Sequence, residues 1–294
     1  MYYRRKILLA LLQTFGGVLP KIDFQKYLFL LNIKRQDPFF EFIPYKFGCY
    51  SFQANQDMLT MIKYNLVTES EKSWQLKTDE SYLYDLKEED IKQIKKLHSE
   101  FEYLKGRELI KYVYENYPYY SINSTIKETV LNKEQLKAVD DSKPNKSEYT
   151  LFSTGYEGKT VEHFTNELIK EDIKVLCDVR KNALSMKYGF SKKQLKNVVE
   201  NVGIKYIHIP ALGIESNKRQ QLNSKEDYEK LFRNYELNTL SESDDEILEL
   251  YEIFIKNKRI ALMCFEADHK FCHRSRTITA LQNKFEKEFV VKHL

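Results

Sequence analysis

Apolar residues recur at three- and four-residue spacing over 5–15, 22–34 and 53–66, the signature of helices with one buried face. Phe24, Tyr27, Leu28 and Leu31 form the stripe of the second; Met58, Leu59, Ile62 and Leu66 form that of the third. Lys46-Phe-Gly-Cys-Tyr-Ser supplies a glycine turn between them. Leu66-Val-Thr-Glu-Ser-Glu-Lys-Ser-Trp-Gln-Leu-Lys then splits into two short β-like runs around a polar turn. Helical spacing resumes at 87–104 and 105–116, and Pro118 ends it.

From Lys137 to Glu148 the chain is polar, contains Pro144 and has no period, which marks residues 138–147 as a linker between domains at 1–137 and 148–294. Beyond it, strand-like runs begin at Tyr149, Lys174, Lys205 and Arg259, and alternate with helical patterns at 160–171, 191–202, 225–238, 243–258 and 273–286. This alternation predicts an α/β domain whose mainly parallel sheet is flanked by helices, preceded by a mostly helical domain.

Composition refines this only slightly. The 294 residues suffice for two cores, and no apolar run is long enough to span a bilayer. The basic-then-apolar start, Met1 to Leu12, lacks a small-residue cleavage site and reads as a first helix rather than a signal peptide. Four cysteines make no disulfide framework, so a reducing, cytoplasmic setting is expected. The net charge of +4 does not by itself call for nucleic acid, although residues 1–65 hold nine Lys/Arg against four acids.

Five motifs occur in one order: Thr154-Gly-Tyr-Glu-Gly, Cys177-Asp-Val-Arg-Lys-Asn, Gly189-Phe-Ser, His208-Ile-Pro-Ala-Leu-Gly, and Cys264-Phe-Glu-Ala-Asp-x3-Cys-His-Arg-Ser. That order resembles the domain-of-unknown-function family 488 over about 148–294. The resemblance implies a compact α/β domain with its motifs gathered at one sheet edge, and brings no settled reaction. The first half is similar to a winged-helix module of bacterial regulators and defence proteins. Three helices followed by a hairpin carry that likeness, as do Lys26-Tyr-Leu-Phe-Leu-Leu, Phe42-Ile-Pro-Tyr-Lys-Phe-Gly-Cys-Tyr-Ser and Glu115-Asn-Tyr-Pro-Tyr-Tyr-Ser.

In an open parallel sheet, ligands sit beyond the carboxyl ends of the strands. Gly155, Tyr156 and Gly158 lie where a strand turns into a helix, a place where free N–H groups bind anions, although a plain tight turn fits equally. Gly155-Tyr-Glu-Gly-Lys-Thr has two residues between its glycines where a P-loop needs four, so an ATPase is excluded. Arg180 at a strand end can grip a phosphate or carboxylate with Asp178 fixing its fork; the pair can also simply tie a loop down.

Cys264, Glu266, Cys272, His273 and Arg274 lie within eleven residues. A metal site with Cys177 or His269 as fourth ligand is one reading, but Cys-x7-Cys-His is no zinc-ribbon or finger spacing, so no metal and no cofactor is assigned. The other reading is catalytic. Glu266 moves a proton, Arg274 orients an anion, and Cys264, Cys272 and His273 assist or hold the loop. Glu157 across the cleft would add a second carboxylate, suited to a glycosidic or nucleotide-base reaction. No rhodanese or phosphatase loop is present.

In the first domain, Lys34, Arg35 and Lys46 would meet phosphates while Gln53, Asn55 and Gln56 read bases from a helix in the major groove; dimerisation is the competing use. Two functional expectations follow. One is a nucleotide- or duplex-DNA-directed enzyme acting on a phosphate-bearing substrate, compatible with a role in bacterial defence. The other is a ligand-responsive DNA-binding regulator without turnover.

Overall fold

The computed structural model describes residues 1–77, 80–219, 222, 224–286 and 289–294, and the chain divides into a unit of Met1–Lys143 and a unit of Pro144–Leu294. No helix among the described residues is long and apolar enough to cross a membrane.

The first unit is rich in helices: α1 (Tyr3–Thr14), α2 (Lys21–Asn32), α3 (Phe52–Lys63), α4 (Glu88–Phe101), α5 (Gly106–Asn116), α6 (Lys127–Val130) and α7 (Lys133–Asp141). Its short strands are β1 (Val18–Pro20), β2 (Ile43–Tyr45), β3 (Gly48–Tyr50), β4 (Val67–Glu69) and β5 (Ser73–Leu76). β1 joins the predicted hairpin β4–β5 as a third antiparallel strand in the order β1-β5-β4, and β2 pairs with β3. The glycine turn at Gly48 is thus the tip of a small hairpin.

α2 is buried on every side, and its polar residues have partners for that reason. Lys26 Nζ donates to Phe47 O at 2.5 Å, and Asp23 Oδ2 accepts the Gly106 N–H at 2.9 Å. Residues 138–141, expected in the linker, belong to α7, which an Asn132–Gln135 capping box starts.

The second unit runs β6 (Thr150–Gly155), α8 (Val161–Lys170), β7 (Val175–Asp178), α9 (Lys192–Glu200), β8 (Lys205–His208), α10 (Lys225–Asn238), α11 (Asp244–Asn257), β9 (Arg259–Cys264), α12 (Arg274–Phe285) and β10 (Val290–His293). All pairings are parallel, in the order β10-β6-β9-β7-β8. β6 and β9 are buried along their whole length, as expected of strands covered on both faces. Inward residues of one face, among them Val175, Cys177, Ile260 and Leu262, pack with Phe232, Leu250, Phe254 and Ile278 of α10, α11 and α12. α8 and α9 pack against each other and contribute nothing to this cluster, as the usual right-handed crossover would have it.

The chain steps from β6 to β7 and β8 toward one edge, then returns through β9 to β10 at the other. The direction reverses across β6 and β9, and there the register sets Gly155 beside Cys264 at the carboxyl ends.

Candidate active site

β9 ends at Cys264, and the segment to α12 folds back so that Cys272 and His273 return to it. Asp268 caps a short turn at His269–Phe271 by accepting the Lys270 N–H at 2.8 Å, and Ser275 Oγ donates to His269 O. Arg274 staples the loop: its Nε donates to Ser153 Oγ at 2.6 Å, Nη1 to Glu266 O at 2.7 Å and Nη2 to Ala267 O at 3.1 Å. The result is a cluster in which Cys264 Sγ, Cys272 Sγ and a ring nitrogen of His273 lie within 4.8 Å of one another, all buried.

His273 is oriented from behind. Its Nε2 lies 3.0 Å from Val179 O, and because a carbonyl only accepts, Nε2 carries the proton and Nδ1 keeps its lone pair in the neutral ring. Nδ1 lies 3.8 Å from each sulfur. Arg219 completes the cluster from a short turn at Ser216–Arg219: Nη2 is 2.6 Å from His273 Nδ1 and 3.9 Å from Cys264 Sγ, and Nη1 pairs with Glu266 Oε1. Glu266 Oε2 and Arg219 Nε are buried without a hydrogen-bond partner among the described residues.

Burial opposes ionisation of Cys264, but the hydrogen bond from Cys272, with His273 and Arg219 alongside, outweighs it and holds this thiol well below its usual range. Burial and the neighbouring Cys264 push Cys272 well above it. Burial, then Cys264, raise the Glu266 carboxyl against the pull of Arg219.

His273, Arg219 and Glu266 line a cleft of about 450 Å³, together with Ile214, Tyr228, Leu231, Phe232, Phe265, Phe271, Glu157 and Asp268, while the two sulfurs lie buried behind His273. Phe265 and Phe271, which meet Tyr156 and Tyr228 in T-shaped contacts, remain 44 % and 45 % exposed. Glu157, expected across the cleft from Glu266, lines it and accepts the Ala267 N–H at 3.0 Å.

The structure thus brings Cys264, Glu266, Cys272 and His273 together. It does not leave the expected anion ligands free. Arg180 is buried; its Nε and Nη2 hold Asp178, and its Nη1 donates to Tyr156 OH and Phe190 O, both at 3.0 Å. Asp178 also accepts from Tyr206 OH at 2.5 Å. The pair ties down the loop, the alternative left open by the sequence. Arg274 is occupied by Ser153 and two carbonyls, as described above.

At the start of α8 part of the expected N–H set is engaged within the protein. The N–H groups of Tyr156 and Glu157 donate to Phe265 O, and Thr160 Oγ caps the helix by accepting from His163 N. Gly155 makes room for protein rather than phosphate, since a Cβ there would overlap the Glu266 carbonyl. Tyr156 is stacked on Phe190 and bonded to Arg180, and Gly158 serves a turn with φ +75°. Cys177 lies in the sheet core and His269 stacks on His293, so neither is a fourth member of the cluster. His208 is taken by Arg180 O and Lys192 Nζ.

In the first unit, Lys34 and Lys46 are exposed, and Gln53, Asn55 and Gln56 are half-buried on α3. Arg35 is not free for phosphate, because its Nη1 reaches Asp90 at 2.8 Å and Gln93 at 2.5 Å. Lys46 and Asn55 border a largely apolar cleft of about 710 Å³ that also includes Trp74 and Ile110.

Arg219 was not foreseen. It lies in the long connection after β8, a strand end that the sequence reading did not count among those facing the site.

Among curated proteins and among solved structures there is no match to the chain. Residues 160–281, from the cap of α8 into α12 and including every motif from Cys177 to Arg274, match the family model of Domain of unknown function DUF488.

Proposed function

We propose that the second unit is an enzyme directed at a nucleobase or a similar flat heterocycle, bound in the cleft above Cys264, Cys272 and His273. The observation that carries this reading is the Arg219–Glu266 pair between two half-exposed phenylalanines. A base that displaced the Arg219–Glu266 contact would meet a donor and an acceptor side by side, the mixed pattern of its own edge, with Phe265 and Phe271 beside it for stacking. Glu266 Oε2 has no hydrogen-bond partner among the described residues, which leaves this carboxylate oxygen able to take up a proton in the reaction.

The phosphate-directed form of this reading gives way to a base-directed one. Arg180 and Arg274 are engaged inside the protein, and the cleft carries Glu157, Asp268 and Glu266 against Arg219. Such a lining favours a neutral ring over a polyphosphate.

For the first unit the proposal is duplex binding through α3, with Lys34 and Lys46 meeting phosphates. The three helices α1, α2 and α3 followed by the β4–β5 hairpin support it. Binding should then weaken with salt, and Lys46→Ala should reduce the salt slope by about one.

The test of the cleft is a mass-spectrometric profile of nucleosides, nucleotides, DNA and RNA incubated with the protein, with Glu266→Gln alongside. An altered base or a released base, absent with the variant, supports the reading. Retained ligand without turnover points to a sensor, and an unchanged profile with no retained ligand overturns both.

A further inference from the structure

We infer that Cys264, Cys272 and His273 bind a thiophilic divalent cation, zinc by the chemistry of the donors, in the buried cluster beside the cleft that His273 lines. The donor set is two sulfurs and one imidazole nitrogen, the set that soft or borderline metals select. Zn–S and Zn–N bonds of about 2.3 and 2.0–2.1 Å imply tetrahedral S···N edges near 3.6 Å. The two edges here are both 3.8 Å without any metal placed.

Outer contacts fit the same assignment. A metal-bound histidine usually donates its far N–H to a carbonyl, which fixes the tautomer and aims the other nitrogen at the ion. His273 does this through Val179 O, so its Nδ1 lone pair faces both sulfurs. The loop between the ligands is held by Arg274 on Ser153, Glu266 O and Ala267 O, so the second cysteine does not have to be recruited on binding. Seven residues between the cysteines hid this in the sequence, because the register that matters is β9 against the start of α12.

Arg219 Nη2 now occupies the Nδ1 lone pair. A guanidinium there is a cation in the position a metal would take, and binding replaces that one contact. Arg219 keeps its Nη1 contact with Glu266 Oε1. Each thiol that binds the metal as thiolate releases its proton to solvent. Three protein ligands leave one tetrahedral position for a fourth donor, and of the three His273 also lines the cleft. The metal site itself does not depend on the base-directed reading, because its test contains no nucleotide.

The experiment is metal analysis of the full chain purified without a metal column or chelator, followed by cobalt(II) reconstitution of chelator-treated protein. About one equivalent of zinc and an intense tetrahedral cobalt spectrum with a thiolate-to-metal band are expected. All four thiols should be countable after denaturation with chelator. Cys272→Ser and His273→Ala should each lose the spectrum, whereas Cys49→Ser and Cys177→Ser, buried elsewhere, should keep it. Arg219→Ala should bind metal as tightly as the parent or more tightly. Metal-free protein that gives no cobalt spectrum overturns the inference, as does a Cys264–Cys272 disulfide in freshly isolated protein. The parent's own metal content and spectrum decide the matter even where a variant fails to fold.

Discussion

Asp178 and Arg180 grip one another two-pronged at the end of β7, with Nε on Oδ1 at 2.9 Å and Nη2 on Oδ2 at 2.6 Å, both side chains buried. Tyr206 OH gives the carboxylate another donor, and Tyr156 OH and Phe190 O take the remaining guanidinium direction. The pair is therefore a closed network, and removing one charge strands the other. Arg180→Ala should destabilise the second unit by about 3–5 kcal/mol, the cost of an uncompensated buried charge. Arg180→Lys should recover little, because an ammonium cannot reproduce the fork. Urea unfolding of the three proteins checks this; a ligand-binding defect at unchanged stability would contradict it.

Gly155 and Gly158 separate two reasons for glycine within one turn. At Gly155 a Cβ would overlap the backbone of Glu266, so Gly155→Ala must push the Glu266–Ala267 segment away from β6. We expect about 1–3 kcal/mol of destabilisation, as in other overpacked sites, together with loss of cleft function. At Gly158 there is open space and φ is +75°. Gly158→Ala should cost about 1–2 kcal/mol of backbone strain and leave the cleft intact. Thermal melts combined with ligand binding or cobalt spectra distinguish the two.

The first unit should fail in alkali for a definable reason. Burial, helped by Asp23, pushes the Tyr27 hydroxyl up to about 12, and burial raises Tyr114 and Tyr119 further. Each folded value lies above that of the unfolded chain, near 10, so the stability these groups contribute is complete below pH 10. It is lost as pH rises through the folded values. Tyrosinate absorbance should therefore show a set of tyrosines that titrate only as circular dichroism reports unfolding. Replacing Tyr27 with Phe should make the alkaline transition less steep.

Most elements were legible because their periods were strong. β7 and β9 carry continuous apolar runs, Val175–Cys177 and Ile260–Cys264, and the helices of the second unit lie within one or two residues of the amphipathic stripes. The elements that escaped lack such a signal. β10 is an edge strand, Val-Val-Lys-His, with no residue fully buried, and β1 contains a proline. α7 buries only Val139, so its polar surface resembled a linker.

The same contrast holds at the site. Cys264, Glu266, Cys272 and His273 were found because they are close in sequence. Arg219 enters from a connection without periodicity, and only the path of the chain brings it within reach of a residue 54 positions away. Arg180 and Arg274 were visible as arginines at strand and helix ends, but whether such a group faces a cleft or a carbonyl depends on packing that spacing does not encode.

Phe265 and Phe271 give the sharpest test of what occupies the cleft. Each is about half exposed, so little folding energy depends on its ring, and Phe265→Ala or Phe271→Ala should leave the melting temperature nearly unchanged. If a flat base stacks there, each loss should weaken binding by about 1–3 kcal/mol, or roughly 5- to 150-fold. Glu266→Gln should act differently, since the amide still reaches Arg219 but no longer takes up a proton, and binding should survive while turnover falls. Calorimetric titration of free bases and nucleosides against these three variants separates the two effects. A ligand that binds equally well to both phenylalanine variants would be held by something other than stacking, and the base-directed reading of the cleft would then be wrong.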